Sequence, residues 1–209
     1  MKILLFGGTF DPPHIGHVNN LRAAAALVQP DKIIVMPAGV PPHKAASTTP
    51  GELRLAMCAC FLPVADHVEI SRWEIDHAGR SFTINTLQML RGRWPGAALY
   101  LCVGGDMLES FTTWRSWQQI LALATLVVQS RRDGDAAALQ AHAAPLRAAG
   151  GRVLLAGAAP VPCASSQIRA GRYSPAELQA LLPSPVPRII AQNRLYGIKI
   201  GKEAQPCDL

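Results

Sequence analysis

Residues 7–17 read GGTFDPPHIGH and lie between an apolar run, KILLF at 2–6, and a segment of helical composition, NNLRAAAALV at 19–28. A short apolar run that stops at two glycines reads as a strand buried on both faces, and the alanine-rich segment as the helix after it. The residues between them therefore form a strand-to-helix corner. In open α/β folds ligands bind beyond the carboxyl ends of the strands, where helix N-termini favour anions. Gly7 and Gly8 let backbone approach a ligand closely, and Asp11-Pro12-Pro13 fixes a turn. Gly16 leaves room between His14 and His17, whose ring N–H groups can then point to one anion. An isolated His-x-x-His at such a corner would read simply as a helix cap, so the rest of the chain has to decide.

Strand-like runs recur at 32–36, 67–70, 99–103, 126–128 and 152–155, and helical stretches rich in Ala, Leu, Arg and Gln separate them at 51–62, 82–93, 114–123 and 135–149. This alternation predicts a parallel sheet covered on both faces, which is why the strand runs are nearly all apolar. After Cys163 the pattern changes to short helical pieces at 165–170, 175–182 and 186–195, broken by prolines. The prediction is one domain over 1–209. It comprises a Rossmann-like doubly wound α/β core over about 1–160, a small helical C-terminal appendage at 161–195 and a tail at 196–209.

With 209 residues and 49% hydrophobic content the chain can bury one sizeable core. Twenty basic against 14 acidic side chains give +6, which suits an anionic ligand, but no Lys/Arg run of nucleic-acid type occurs. The opening apolar run is too short for a signal-peptide core, and no stretch approaches the roughly 18 apolar residues of a membrane helix. A cytoplasmic protein that binds neither membrane nor nucleic acid is expected. The five cysteines are an odd number without CxxC spacing, so reduced thiols are expected and neither a disulfide framework nor a zinc site.

GGTFDPPHIGH resembles the signature of the nucleotidyltransferase superfamily, and the ordered set of segments resembles the bacterial nicotinate-nucleotide adenylyltransferases from residue 1 to about 195. Those segments are MPAGVPPHK at 36–44, ELRLAM at 52–57, SRWEI at 71–75, SFTINTL at 81–87, GGDM at 104–107 with Trp114 beyond it, and CASSQIR at 163–169. The resemblance implies adenylyl transfer from ATP to nicotinate mononucleotide. In that chemistry an already ionised phosphate attacks the α-phosphorus of ATP, so no side chain need be a nucleophile. The demand is for positioning and for donors to the developing charge.

The resemblance assigns catalytic roles to His14, His17, Lys44 and Arg169, with His17 foremost at the α-phosphoryl group and Lys44 bridging the two substrates' phosphates. It places ATP against Gly7, Gly8, Thr9, Phe10, His14, His17, Asp106, Ser165, Ser166, Ile168 and Arg169. For nicotinate mononucleotide it implies Gly8, Thr9, His43, Lys44, Thr83, Thr86, Asp106, Trp114 and Arg115. There the pyridine ring lies on Trp114, and the Thr86 and Arg115 amides hold its carboxylate. Magnesium is expected as the cation carried by ATP, without dedicated protein ligands. A homodimer stays open.

Other readings of individual residues stand beside these. Asp106 could equally cap a helix over 107–111, and Trp114 and Trp117, three apart on a predicted helix, could both be core residues. Two positions depart from the family pattern. Arg115 replaces a customary aromatic residue, either as a charge partner for the carboxylate or as a solvent-facing side chain. Ala164 replaces the first serine of the last motif. Arg131-Arg132 resembles the family's basic pair near ATP.

Class I aminoacyl-tRNA synthetases also carry HIGH, but KMSKS is missing here and the chain is too short for tRNA-binding domains. Pantetheine-phosphate adenylyltransferases have a similar first motif but lack PPHK and lack a histidine at the position of His14. A non-catalytic nucleotide sensor would not need His14, His17, Lys44 and Arg169 together.

Overall fold

A computed structural model describes residues 1–40, 49–77, 79–129, 134–157, 159 and 161–200. Six strands, β1 (Lys2–Gly8), β2 (Lys32–Pro37), β3 (Val68–Ile70), β4 (Ala98–Gly104), β5 (Ala124–Gln129) and β6 (Val153–Ala156), form one sheet in the order β3-β2-β1-β4-β5-β6. Every pairing is parallel. This is the expected doubly wound α/β fold.

The two-residue alternation of the strands divides the core. Ile3 and Leu5 of β1, Ile34 and Met36 of β2, and Leu99, Leu101 and Val103 of β4 face one cluster. That cluster is covered by α4 (Thr83–Arg93), α6 (Trp117–Leu123) and α7 (Ala136–Ala148). Leu4, Phe6, Ile33, Val35, Cys102 and Val127 face the other, beneath α1 (Ile15–Val28) and α2 (Gly51–Met57). Burial on both faces explains why the strands read as unbroken apolar runs.

Three short helices complete the second layer: α8 (Ser165–Arg169), α9 (Pro175–Leu181) and α10 (Val186–Gln192). Ile168, Leu178, Leu182, Val186, Ile189 and Ile190 enter the same cluster as Leu4 and Phe6 of β1. The chain stays on this body past residue 195, since Tyr196, Ile198 and Ile200 also pack there.

Several helices start or stop differently from expectation. The first begins at Ile15, inside the histidine motif, with His14 as its N-cap. The stretch expected to be one helix over 51–62 becomes α2 followed by a 3-10 helix over Cys58–Val64 that contains Pro63. Proline cannot donate the bond that an α-helix would require there. The stretch 114–123 is helical only from Trp117, because Ser116 adopts a left-handed φ of 56° that interrupts it. Trp114 and Trp117 therefore do not share a helix.

Candidate active site

The order of strands reverses between β1 and β4, and at such a switch point the loops diverge and leave a crevice. Phe6 pairs opposite Cys102, so Gly7-Gly8 and Gly104-Gly105 leave the sheet side by side. The loop after β1 carries both histidines. The loop after β4 runs into α5 (Gly105–Glu109), whose first turn presents an exposed Asp106. Gly104 is the N-cap of this helix, so Asp106 is not the cap that was the alternative for it.

Within the β1 loop, Phe10 adopts a left-handed φ of 50° and buries its ring between Phe6 and Phe61. That ring lies against Gly8, where a Cβ would come within 2.8 Å of it. The glycine is needed for the loop itself, not only for a ligand's approach. Gly16 has the expected role, since a Cβ there would meet the His14 ring at 3.0 Å.

The two imidazoles stack with centroids 3.8 Å apart, and His17 also meets the Phe10 ring edge-on at 5.3 Å. The backbone N–H of His14 donates to His17 Nδ1 at 3.2 Å. A ring nitrogen that accepts carries no proton, so in the neutral imidazole of His17 the N–H sits on Nε2. Nδ1 thus serves the start of the helix and leaves Nε2 as the ring's donor.

The last motif is brought onto the same loop. Ser165 Oγ donates to the Pro12 carbonyl at 2.9 Å, and Arg169 Nη1 donates to the Asp11 carbonyl at 2.6 Å. Ser166 and Arg169 are exposed and Ile168 is buried.

Across the crevice, Thr83 opens α4 directly after Phe82, and the Arg115 guanidinium lies 4.7 Å from the centroid of the Phe82 ring. Trp114 is half-buried, tilted against Phe111 at 5.1 Å. Thr86 is buried and its hydroxyl donates to Glu74, while its backbone N–H reaches Phe82 O at 3.4 Å within the helix. The structure thus brings Arg115 to the start of α4, where Thr83 and Thr86 lie, while the ring contact of Trp114 is with Phe111. His43, Lys44 and Arg131-Arg132 lie outside the described residues.

Residues 5–171 match the cytidylyltransferase-like family. A probable nicotinate-nucleotide adenylyltransferase of Albidiferax ferrireducens is 33% identical over 195 residues, covering 93% of this chain and 98% of that protein. A second, from Chloroherpeton thalassium, is 34% identical and covers 93% and 97%. The chain belongs to the nicotinate-nucleotide adenylyltransferase family. Among solved structures, a Plasmodium falciparum nicotinic acid mononucleotide adenylyltransferase complexed with NaAD has a TM-score of 0.75 at 15% identity, covering 95% of this chain and 98% of that one. At that identity the likeness concerns the fold. No helix among the described residues of this adenylyltransferase is long and apolar enough to cross a membrane.

Three side chains beneath the adenylyltransferase crevice were not singled out by the sequence. Arg54, only 3% exposed, donates to the carbonyls of Thr9 at 3.0 Å, Ala38 at 2.6 Å and Thr49 at 3.3 Å. Burial lowers its pKa, and the neighbouring Asp11 carboxylate acts in the opposite direction. Periodicity carried a signal for it: Arg54 stands at the head of the buried series Met57, Cys58 and Phe61, at spacings of a helical face. Glu74 is buried and accepts from the Thr86 hydroxyl, and burial raises its pKa while the Thr86 and Ser81 bonds pull it down. Tyr196, at the boundary assigned to the tail, donates to Asp11 Oδ1 at 2.6 Å.

Among the described residues, Cys58, Cys60, Cys102 and Cys163 form no disulfide. Burial pushes the Cys60 thiol up to about 12, which keeps it protonated and unreactive.

Proposed function

We propose that this enzyme transfers the adenylyl group of ATP to nicotinate mononucleotide, giving deamido-NAD and pyrophosphate in NAD synthesis. A phosphate oxygen of the mononucleotide attacks the α-phosphorus of ATP in line. One phosphorus–oxygen bond forms, the α–β bridge breaks, and pyrophosphate leaves with its electron pair.

The observation that carries this reading is the convergence of His14, His17, Ser165 and Arg169 on the Asp11-Pro12 turn at the switch point of the sheet. Such a cluster offers hydrogen-bond donors fixed before the reaction begins, the arrangement that most lowers the energy of a charged transition state. In this reading His17 donates from Nε2 to the α-phosphoryl oxygens, His14 supports it, and Arg169 draws the β- and γ-phosphates toward the loop. Lys44 would bridge the phosphates of the two substrates, with His43 beside the mononucleotide. Gly7, Gly8 and Thr9 form the floor of the triphosphate channel, and Asp106 meets ribose hydroxyls.

The pyridine ring would rest on Trp114, with its carboxylate near the start of α4 and Arg115. That Arg115 lies against Phe82 beside Thr83 supports this placement. The names of the bacterial relatives and the NaAD complex of the Plasmodium falciparum structure support the same substrate pair. Magnesium enters as part of the ATP complex, held by phosphate oxygens and water.

Side-by-side pyrophosphate release with nicotinate and nicotinamide mononucleotides tests the proposal. A higher kcat/KM for the acid is expected. Equal efficiency would overturn acid specificity, and no pyrophosphate with either would overturn the reaction.

A further inference from the structure

The loop that carries the two histidines is gripped from outside by groups far away in the chain. Arg54 holds the Thr9 carbonyl, Arg169 the Asp11 carbonyl and Ser165 the Pro12 carbonyl. A fourth contact comes from the last part of the described chain. The Tyr196 hydroxyl donates to Asp11 Oδ1 at 2.6 Å, across 185 residues of sequence, and accepts from Thr49 Oγ1 at 3.4 Å. Asp11 is only 4% exposed, so its carboxylate depends on such donors in place of water.

The segment that delivers Tyr196 turns sharply. Arg194 and Tyr196 both adopt left-handed backbone, at φ 51° and 60°, a conformation that side chains other than glycine's rarely take. Phe10, next to Asp11, is left-handed too, at φ 50°. Strained residues thus stand on both sides of one hydrogen bond. Such strain persists only where surrounding contacts over-determine the backbone, and it gathers at functional sites.

The geometry points to Tyr196 as a positioning residue for adenylyl transfer: its hydroxyl fixes the Asp11 carboxylate and with it the turn that sets the His14 and His17 rings. The phenol is well suited to a constant donor. Burial, reinforced by its bond to Asp11, raises its pKa, so the O–H persists over the range in which imidazoles titrate. The aromatic ring packs in the cluster shared with α1 and β1, which anchors the hydroxyl from behind.

The inference rests on the proposed use of His17 and is tested with Tyr196→Phe, which removes the hydroxyl and keeps the ring. Two readouts are taken: steady-state kinetics, and nitrogen-15 NMR of the His17 ring in the protein without substrates. Expected is a kcat about tenfold lower, the rate equivalent of one hydrogen bond to a charged group, with KM for nicotinate mononucleotide unchanged. The His17 signals should move from a protonated Nε2 with bare Nδ1 toward a mixture of tautomers. Unchanged kcat, or a lower kcat with unmoved His17 signals, would overturn the positioning role. The NMR arm needs no turnover, so it separates the two claims: full activity in His17→Ala would defeat the transfer mechanism while the tautomer shift still reported on the contact.

Discussion

On the β1 side of the crevice, Thr9, Asp11 and Pro12 are held by hydrogen bonds from Arg54, Tyr196, Arg169 and Ser165, partners 45 to 185 residues away. On the β4 side, Trp114 leans on Phe111 three residues before it, and Arg115 rests on the Phe82 ring. One wall is fixed by directional hydrogen bonds, the other by ring surfaces. In the proposed mechanism the difference follows what each wall would recognise. A phosphoryl group in transfer needs donors held to within fractions of an ångström, because its stabilisation falls off steeply with misplacement. A flat pyridine ring needs area, and stacking tolerates sliding.

The sharpest break in this comparison is Arg54→Ala. It leaves the Thr9, Ala38 and Thr49 carbonyls without this donor and takes one cationic neighbour from Asp11, and should cost about 3 kcal/mol or more in denaturant unfolding, at about 1–3 kcal/mol for each buried group left unsatisfied. Arg54→Lys should recover only part, because an ammonium cannot match a guanidinium fork aimed at the Thr9, Ala38 and Thr49 carbonyls together.

On the other wall, Trp114→Ala should raise KM for the mononucleotide up to about tenfold, the upper range of a ring–ring contact, while KM for ATP stays put. Steady-state titrations of each substrate check it. A comparable rise for ATP would mean that the two walls are not separate.

A control removed from both walls is Ser174, whose Oγ accepts from the Glu177 backbone N–H while Glu177 returns a bond to the Ser174 backbone. Ser174→Ala should cost about 1 kcal/mol of stability with kcat unchanged.

The smallest effect concerns Glu74, beneath α4. Its pKa is raised by burial, so the folded chain keeps this proton to higher pH than the unfolded chain. Its contribution is therefore greatest below the ordinary value of 4.5 and declines as pH rises from there through the raised folded value. The Tm of the wild type minus that of Glu74→Gln should fall across that window and then level off. A difference that rises with pH would reverse the assignment.

What the sequence made legible follows from what is local. All six strand runs are legible to within two residues of their ends, most plainly in β1, β2, β4 and β5, where burial on both faces leaves an apolar run, whereas the edge strands β3 and β6 are only partly buried. The β1 corner was legible for the same reason: glycines, prolines and histidines report their geometry within a few residues. Helix starts were less visible. His14 caps α1 from inside the motif, and Ser116 breaks the stretch after Trp114 by a backbone conformation that its side chain does not announce.

The supporting groups were the least visible. Arg54 and Tyr196 act on Thr9 and Asp11 only once the chain has folded, and no local pattern records which distant carbonyl a guanidinium will meet. Arg54 hides in ELRLAM as an ordinary surface charge until its helical spacing to Met57 and Phe61 is noticed. Tyr196 stands at the first residue of what the sequence reads as a polar tail.

The central claim is that the β1 loop holds a donor ready for the α-phosphoryl group, and single turnover of His17→Ala with saturating ATP and nicotinate mononucleotide tests it most directly. The rate of adenylyl transfer should fall by about 10²–10³, the usual effect of deleting one such donor, with Tm close to that of the wild type. A variant that folds normally and forms dinucleotide at the wild-type rate would contradict it.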